Sequence, residues 1–378
     1  MFINFWYSAC LSDELTQSPM KQRMLGQDFV LFRDSQGVAR CLSDVCVHRG
    51  ASLGEGKVKG DCVECPYHGW QFNGAGQCTK IPSLGPEANI PSRAKVDSYP
   101  VQEKYGLVHV FLGDLPEAER PPIMEIEEWG QDGWAHTHQV FVWDIDYKRS
   151  IENGLDNAHN EFVHPTHGFG GERDDYQLPP LNVTVDPWGT HIRGRREAPP
   201  LKEEKMRAAS KREDNAVIEG ATGHHGVSCV WTHIHPTETM FIHQYLFETP
   251  IDIDRTRLYL LNMRNFLIDP EDDARMMERN AIVANQDRDV LSNLRPVVTP
   301  NTNLHEVFVE HDRCVARYRE WLKEWQGKGW RIDVEAVKAQ DKNTAFAIPS
   351  PGRRTSKGWV LDSVPLVAAE TAVQAAAE

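Results

Sequence analysis

Several features are missing from this 378-residue chain, and each absence excludes something. It has no net positive charge: 41 Lys and Arg stand against 55 Asp and Glu, a formal balance of −14. An acidic surface repels phosphate, so neither nucleic acid nor an anionic membrane is expected as a partner. No uninterrupted apolar stretch is long enough to span a bilayer. The opening MFINFWYSACLSDEL has no basic segment and meets acid early, so it is not read as a signal peptide. The G-x-G-x-x-G fingerprint of flavin and nicotinamide sites is absent. There is no internal repeat. The proportions, 40% hydrophobic and 25% charged, are those of a globular protein and exclude disorder or a coiled-coil rod. A chain of this length buries a large core and usually divides into two domains.

Cysteine is present in a revealing distribution. Of eight (Cys10, Cys41, Cys46, Cys62, Cys65, Cys78, Cys229 and Cys314), six fall in the first quarter. Disulfide frameworks belong to short secreted domains. Without a signal peptide the expected setting is the reducing cytoplasm, where clustered cysteines bind metal or react.

The first third reads as β. GQDFVLFRDSQGVARCLSD alternates around a turn at Ser35-Gln36-Gly37, and YGLVHVFLGD is a further strand. The boundary is placed at Pro121. Beyond it the pattern is α+β: a helix over 148–162, at least three antiparallel strands over 226–268, and helices near 271–294 and 304–326. The expected division is 1–120, 121–345 and a C-terminal extension at 346–378, whose last sixteen residues form a loose tail or a short helix.

Cys46-Val47-His48 is followed after sixteen residues by Cys65-Pro66-Tyr67-His68. Thiolate plus imidazole suits zinc and iron–sulfur clusters alike. The unequal spacing, one residue in the first pair and two in the second, suits a [2Fe–2S] cluster with one iron on two Cys and the other on two His. A zinc site more often shows two matched knuckles. Cys41, Cys62 and Cys78 are taken as buried thiols.

A second constellation is IENGLDNAHNEFVH at 151–164. Asp156 and His159 are three apart and neighbours on a helix flank. His164 is too far round a straight helix to share a metal with His159, but Pro165 disfavours helix at His164 and frees its ring to turn back. A third ligand is sought on the helix near 271–294. There Met277, Ala281, Ala284, Leu291 and Leu294 form an apolar stripe with Asp287 inside it, whereas Asp289 lies on the solvated face. Two His and one carboxylate form the facial triad of non-haem Fe(II) oxygenases. Taken alone, among sixteen histidines, the His pair is equally a chance pairing.

The loops CVHRGASLGEG and CPYHGWQFNGAG, then ENGLDNAH…H, then NQDRDVL, together resemble the catalytic (alpha) subunit of Rieske non-haem iron oxygenases that act on aromatic rings. The resemblance implies an all-β Rieske domain followed by a helix-grip catalytic domain, an antiparallel sheet folded round a helix. It implies Cys46, His48, Cys65 and His68 on the cluster, with Trp70 covering it, and His159, His164 and Asp287 on a mononuclear iron. It further implies O2 activation at that iron with electrons from the cluster, to hydroxylate, dihydroxylate or oxidatively demethylate a small aromatic substrate. Family subunits form a head-to-tail homotrimer in which the cluster of one serves the iron of the next, and an Asp matching Asp156 bridges them. Glu152 and Asn153 match acidic and amide groups near the iron. With no flavin site of its own, the chain would take electrons from a separate reductase, with or without a ferredoxin. The competing reading is an iron–sulfur electron carrier or a structural zinc protein. Phe162, Phe169, Trp231, Phe241, His243 and Tyr245 are pocket or core candidates; His167 reads as a loop residue, and His224 and His225 as a solvated pair.

Overall fold

The structure is a computed structural model, and it describes residues 1–165, 170–172, 174–197, 204–210 and 216–369. The chain forms two compact units. The first comprises Met1–Ile123, Thr249–Asp252 and Glu324–Glu378 (described to residue 369); the second comprises Met124–Glu248 and Ile253–Lys323.

The first unit is built of short β-strands over residues 5–112. One four-stranded sheet takes Met20–Met24, Gln27–Arg33, Ala39–Ser43 and Ser98–Tyr99; a second takes Lys57–Lys59, Cys62–Glu64, Gln71–Asn73 and Cys78–Lys80. A three-stranded sheet pairs Phe5–Leu11 with Leu107–Leu112, beside Val101–Lys104. Leu107–Leu112 is apolar at nearly every position and wholly buried, as a strand covered on both faces must be. The expected turn forms because the Asp34 carboxylate accepts from the backbone N–H groups of Gln36 and Val38 and Gly37 takes φ +79°.

Residues 346–369, read from the sequence as an extension, pack onto this unit. The Tyr99 hydroxyl donates to the Ile348 carbonyl at 2.8 Å, and the Arg353 guanidinium forks onto the buried Asp97 with two 2.7 Å bonds. Among the cysteines of this unit, Cys41 and Cys78 are buried as expected, whereas Cys62 is only half-buried.

The second unit is a seven-stranded antiparallel sheet, confirming α+β. Its strand order is Ala135–Trp143, Arg255–Arg264, Ile242–Asp252, Cys229–His235, Val217–His225, Gly189–Glu197 and Val183–Asp186. Side chains alternate across a sheet, so each strand offers one set to each face. Helices cover one face. The helix Tyr147–Leu155 lies so close that a Cβ on Gly154 would stand 2.7 Å from Val230, and Thr222 Oγ1 donates to the Gly154 carbonyl at 2.6 Å. Only glycine permits that approach. The long helix Pro270–Leu291 packs beside it, with Gln139 Nε2 donating to the Met277 carbonyl. Among the described residues no helix is long and apolar enough to cross a membrane.

Candidate metal centres

The first centre grows from two loops of like construction. The N–H of Cys46 donates to the Ala51 carbonyl and that of Gly50 back to the Cys46 carbonyl; likewise Cys65 donates to Trp70 and Gly69 to Cys65. Gly50 and Gly69 take φ +76° and +69°, which lets each loop close. The loops present their histidines together: the His48 and His68 rings are 4.4 Å apart, and Trp70 stacks flat on His48 at 4.5 Å. Cys46 and Cys65 are buried, while His68 is exposed. Burial pushes the Cys46 thiol up to about 12, and Cys65 adds to the shift. Such a thiol becomes a thiolate only where a cation replaces its proton. His48 Nδ1 is buried with no hydrogen-bond partner among the described residues, a cost that a metal bond would remove. Buried sulfur inside and imidazole at the edge fit a cluster held by two Cys and two His.

The second centre depends on a helix break. The sequence pattern predicts one helix over 148–162; instead the helix Tyr147–Leu155 stops and a short one runs over Asn160–Val163. Asp156 causes the break. It leaves the helix with extended backbone, and its carboxylate accepts from the N–H groups of Ala158 and His159. A side chain that satisfies these amides competes with the helical ladder. His159 then caps the second helix and His164 ends it, so the two rings approach from opposite ends of one turn.

Their ring nitrogens converge. His159 Nε2 and His164 Nε2 are 3.3 Å apart, and Asp287 Oδ1 lies 3.6 Å from the first and 3.2 Å from the second. Metal bonds of about 2.1 Å at tetrahedral or octahedral angles separate ligand atoms by about 3.0–3.4 Å, so this triangle has the size of a coordination face. Burial opposes charge on His164, yet Asp287 and Gln286 hold its imidazole above the usual range. Asn153 Nδ2 donates to Asp287 Oδ1 at 3.0 Å, and Gln286 Oε1 meets His164 Nδ1 at 3.0 Å. These groups orient the ligands. Asn153→Leu is therefore expected to weaken metal retention at this centre about 10- to 100-fold, measured as metal content after dialysis against graded chelator.

The profile of the Rieske [2Fe-2S] domain matches residues 5–100, and that of the vanillate O-demethylase oxygenase C-terminal domain matches residues 143–327. Each centre thus falls within its own matched region. The chain belongs to the Rieske non-haem iron oxygenases.

Its cofactors are accordingly a [2Fe–2S] cluster and a mononuclear non-haem iron. The chain is 32% identical over 180 residues to Protein TIC 55, chloroplastic, of Arabidopsis thaliana, which covers 47% of this chain and 33% of that protein. It is 36% identical over 168 residues to the iron-sulfur subunit of the toluene-4-sulfonate monooxygenase system of Comamonas testosteroni (44% and 48%). The chain spans about a third to a half of the length of these curated relatives. A longer match, 27% identical over 340 residues, joins it to the methylxanthine N1-demethylase of Pseudomonas putida and covers 85% of this chain and 88% of that one. The solved structure of that demethylase with caffeine superposes with a TM-score of 0.71 at 23% identity, covering 85% and 90%, and shows the shared fold.

The Rieske oxygenase differs from the sequence expectation at several side residues. Asp289 is exposed and bonded to Arg288, as expected of the solvated face. The apolar stripe faces inward only in its C-terminal half, where Leu291 is buried and Ala284 and Leu294 pack against the same cluster; nearer the N-terminus Asp272, Met276 and Asn280 take the buried positions instead of Met277 and Ala281. Glu152 does not face the ligands; Arg319 grips it with two 2.7 Å bonds. Breaking such a buried pair costs about 3–5 kcal/mol, so it fixes the helix that carries Asn153. Phe162 is 64% exposed and no core residue. Trp231, His243 and Tyr245 sit on the sheet face away from the helices, because their register neighbours Val230 and Gln244 face inward. His224 is buried, not solvated, and burial lowers its pKa to about 4. Phe169 and His167 lie outside the described residues. Gln286 was missed, although its place beside Asp287 in NQDRDVL is a signal.

Proposed function

We propose that the chain is the terminal oxygenase component of a multicomponent system. Cys46, His48, Cys65 and His68 hold the cluster, and His159, His164 and Asp287 hold the iron. The substrate is a small aromatic compound that is hydroxylated, dihydroxylated or oxidatively demethylated. Electrons come from a separate reductase, with or without a ferredoxin, in the cytoplasm. The 1–120 and 121–345 segments serve as the electron-receiving and catalytic domains. Subunits form a homotrimer in which Asp156 bridges the two centres across the interface.

The observation that carries this reading is the His159–His164–Asp287 triangle, three ligands on one side only. These three side chains would hold Fe(II), which would supply the activation of O2 there. The chain's own residues do the rest. Asn153 and Gln286 fix the ligand orientations, and Gly154 lets the helix that carries Asn153 seat against the sheet. Burial and its hydrogen bonds act oppositely on Asp156: desolvation raises its pKa, but the His159 and Ala158 contacts hold it below the usual carboxylate range. Asp156 is thus an anion beside the His159 ring, with Oδ2 3.7 Å from Nδ1.

Metal analysis tests the reading. Iron at about three and acid-labile sulfide at about two per chain, with a red-brown spectrum, are expected. Zinc at one or two per chain without a visible band would overturn it, and iron at two without the third would leave only a carrier.

A further inference from the structure

Across the helix-covered face of the catalytic sheet runs a row of small polar side chains. Thr137 lies opposite Asn262, Gln244 opposite Thr232, and Thr232 opposite Thr222. Gln244 Nε2 joins the middle of the row by donating to Asn262 Oδ1 at 3.0 Å and reaching Asn280 Oδ1, on the long helix, at 3.4 Å. Directly opposed side chains share a face, so this is one continuous strip. At its far end Thr222 bonds Gly154, the residue after Asn153.

Four atoms of this strip and its flank are buried with no hydrogen-bond partner among the described residues: Asn262 Nδ2, Asn280 Nδ2, Thr137 Oγ1 and Gln139 Oε1. Asn262, Asn280 and Thr137 are more than nine-tenths buried. Both asparagine oxygens face Gln244, which leaves two amide donors free. Gln139 spends its own donor on Met277 and leaves an acceptor free. Buried polar atoms without partners are rare and point to a missing one.

Their position suits a substrate. Asn280 and Asp287 are seven residues apart, two turns on the same side of the helix and about 10 Å along it. That is the length of a substituted ring. The side chains of the strip itself are uncharged; the charge beside it, the fully buried Arg264 on the same strand face as Asn262, is offset by its ion pair with Asp273, and Arg279 leaves the helix about 100° away from Asn280.

We propose that this strip recognises the substrate, and that the substrate is a planar ring carrying a neutral amide or lactam group. Its carbonyl takes the free N–H groups of Asn262 and Asn280, and its N–H meets Gln139 Oε1. The ring then extends along the helix toward His159, His164 and Asp287. This rests on the proposed catalytic site being where the reaction occurs.

The test is calorimetric titration of the iron-loaded protein, without O2, with 4-methoxybenzamide, 4-methoxybenzoate and 4-methylanisole. The amide is expected to bind about tenfold or more tightly than either other probe. Asn280→Leu should bring it within about twofold of 4-methylanisole at unchanged iron content and cluster spectrum, and Asn262→Leu serves if that variant folds poorly. Equal affinities in the unmodified protein, a preference for the benzoate, or an amide preference that survives both substitutions would overturn the proposal. O2 uptake by the same samples after reduction separates the two claims. Uptake without amide preference sinks the recognition strip and leaves the oxygenase standing. Amide preference without uptake for any probe does the reverse.

Discussion

His159→Ala is expected to empty the mononuclear centre while leaving the cluster intact. Iron should fall from about three to about two per chain, the red-brown spectrum should persist, and substrate-dependent O2 uptake should drop below about 1%. The physical ground is the ligand count. Three side-chain atoms form the triangle, and removing His159 Nε2 leaves only the 3.2 Å pair of His164 and Asp287. Two protein ligands rarely retain a divalent metal against a chelator, because metal affinity follows ligand number and geometry. The cavity left by an imidazole is filled by water, which does not restore a fixed donor. The readout is split between two centres, so it separates local loss from unfolding. A His159→Ala protein that kept three irons, or lost the cluster instead, would show that the two constellations had been assigned to the wrong cofactors.

The second large effect is expected from Asp156→Asn. Both centres should stay loaded, since Asp156 does not belong to the triangle, yet turnover should fall by about 100-fold or more. The substitution preserves shape and keeps an oxygen for the Ala158 N–H, now held at 2.7 Å. The helix break should therefore survive. What disappears is the negative charge beside His159 Nδ1, a ring nitrogen that is buried and has no hydrogen-bond partner among the described residues. A carboxylate there sets the tautomer and basicity of a ligating imidazole, and an amide cannot. Iron content, cluster spectrum and turnover on one preparation decide the matter. Unchanged turnover would remove Asp156 from any bridging role, and loss of iron would make it a positioning residue for the triangle alone.

Much of the site was legible in the chain because its chemistry is local. Cys46 to His48 and Cys65 to His68 are each a single turn, and the glycines that close those turns are written beside them. Pro165 announced that His164 must leave the helix. Asp287 and Asp289 were told apart by position on one helix. Other readings failed where the answer lay across strands. His224 was expected in solvent beside His225, yet adjacent residues on a strand face opposite ways, and only the side on which the helices lie decides which is buried. Glu152 matched a position near the iron, but Arg319, far along the chain, claims it.

The break in the helix after Leu155 shows the same division at short range. Periodicity of 3.6 continues through Asp156 to Phe162, so sequence pattern alone continues the helix. Asp156 stops it by accepting from backbone groups two and three residues on, a competition whose outcome depends on the packed surroundings.

The sequence by itself determined the donor types, the two loops and an acidic composition that disfavours nucleic acid as a partner. These follow from covalent spacing and local backbone preference. Tertiary structure alone decided that Asp287 meets His159 and His164, that Asn153 steadies it, and that Thr137, Asn262, Gln244 and Asn280 share one buried strip. Those neighbours are separated by tens to more than a hundred residues, and only strand register and helix packing bring them together.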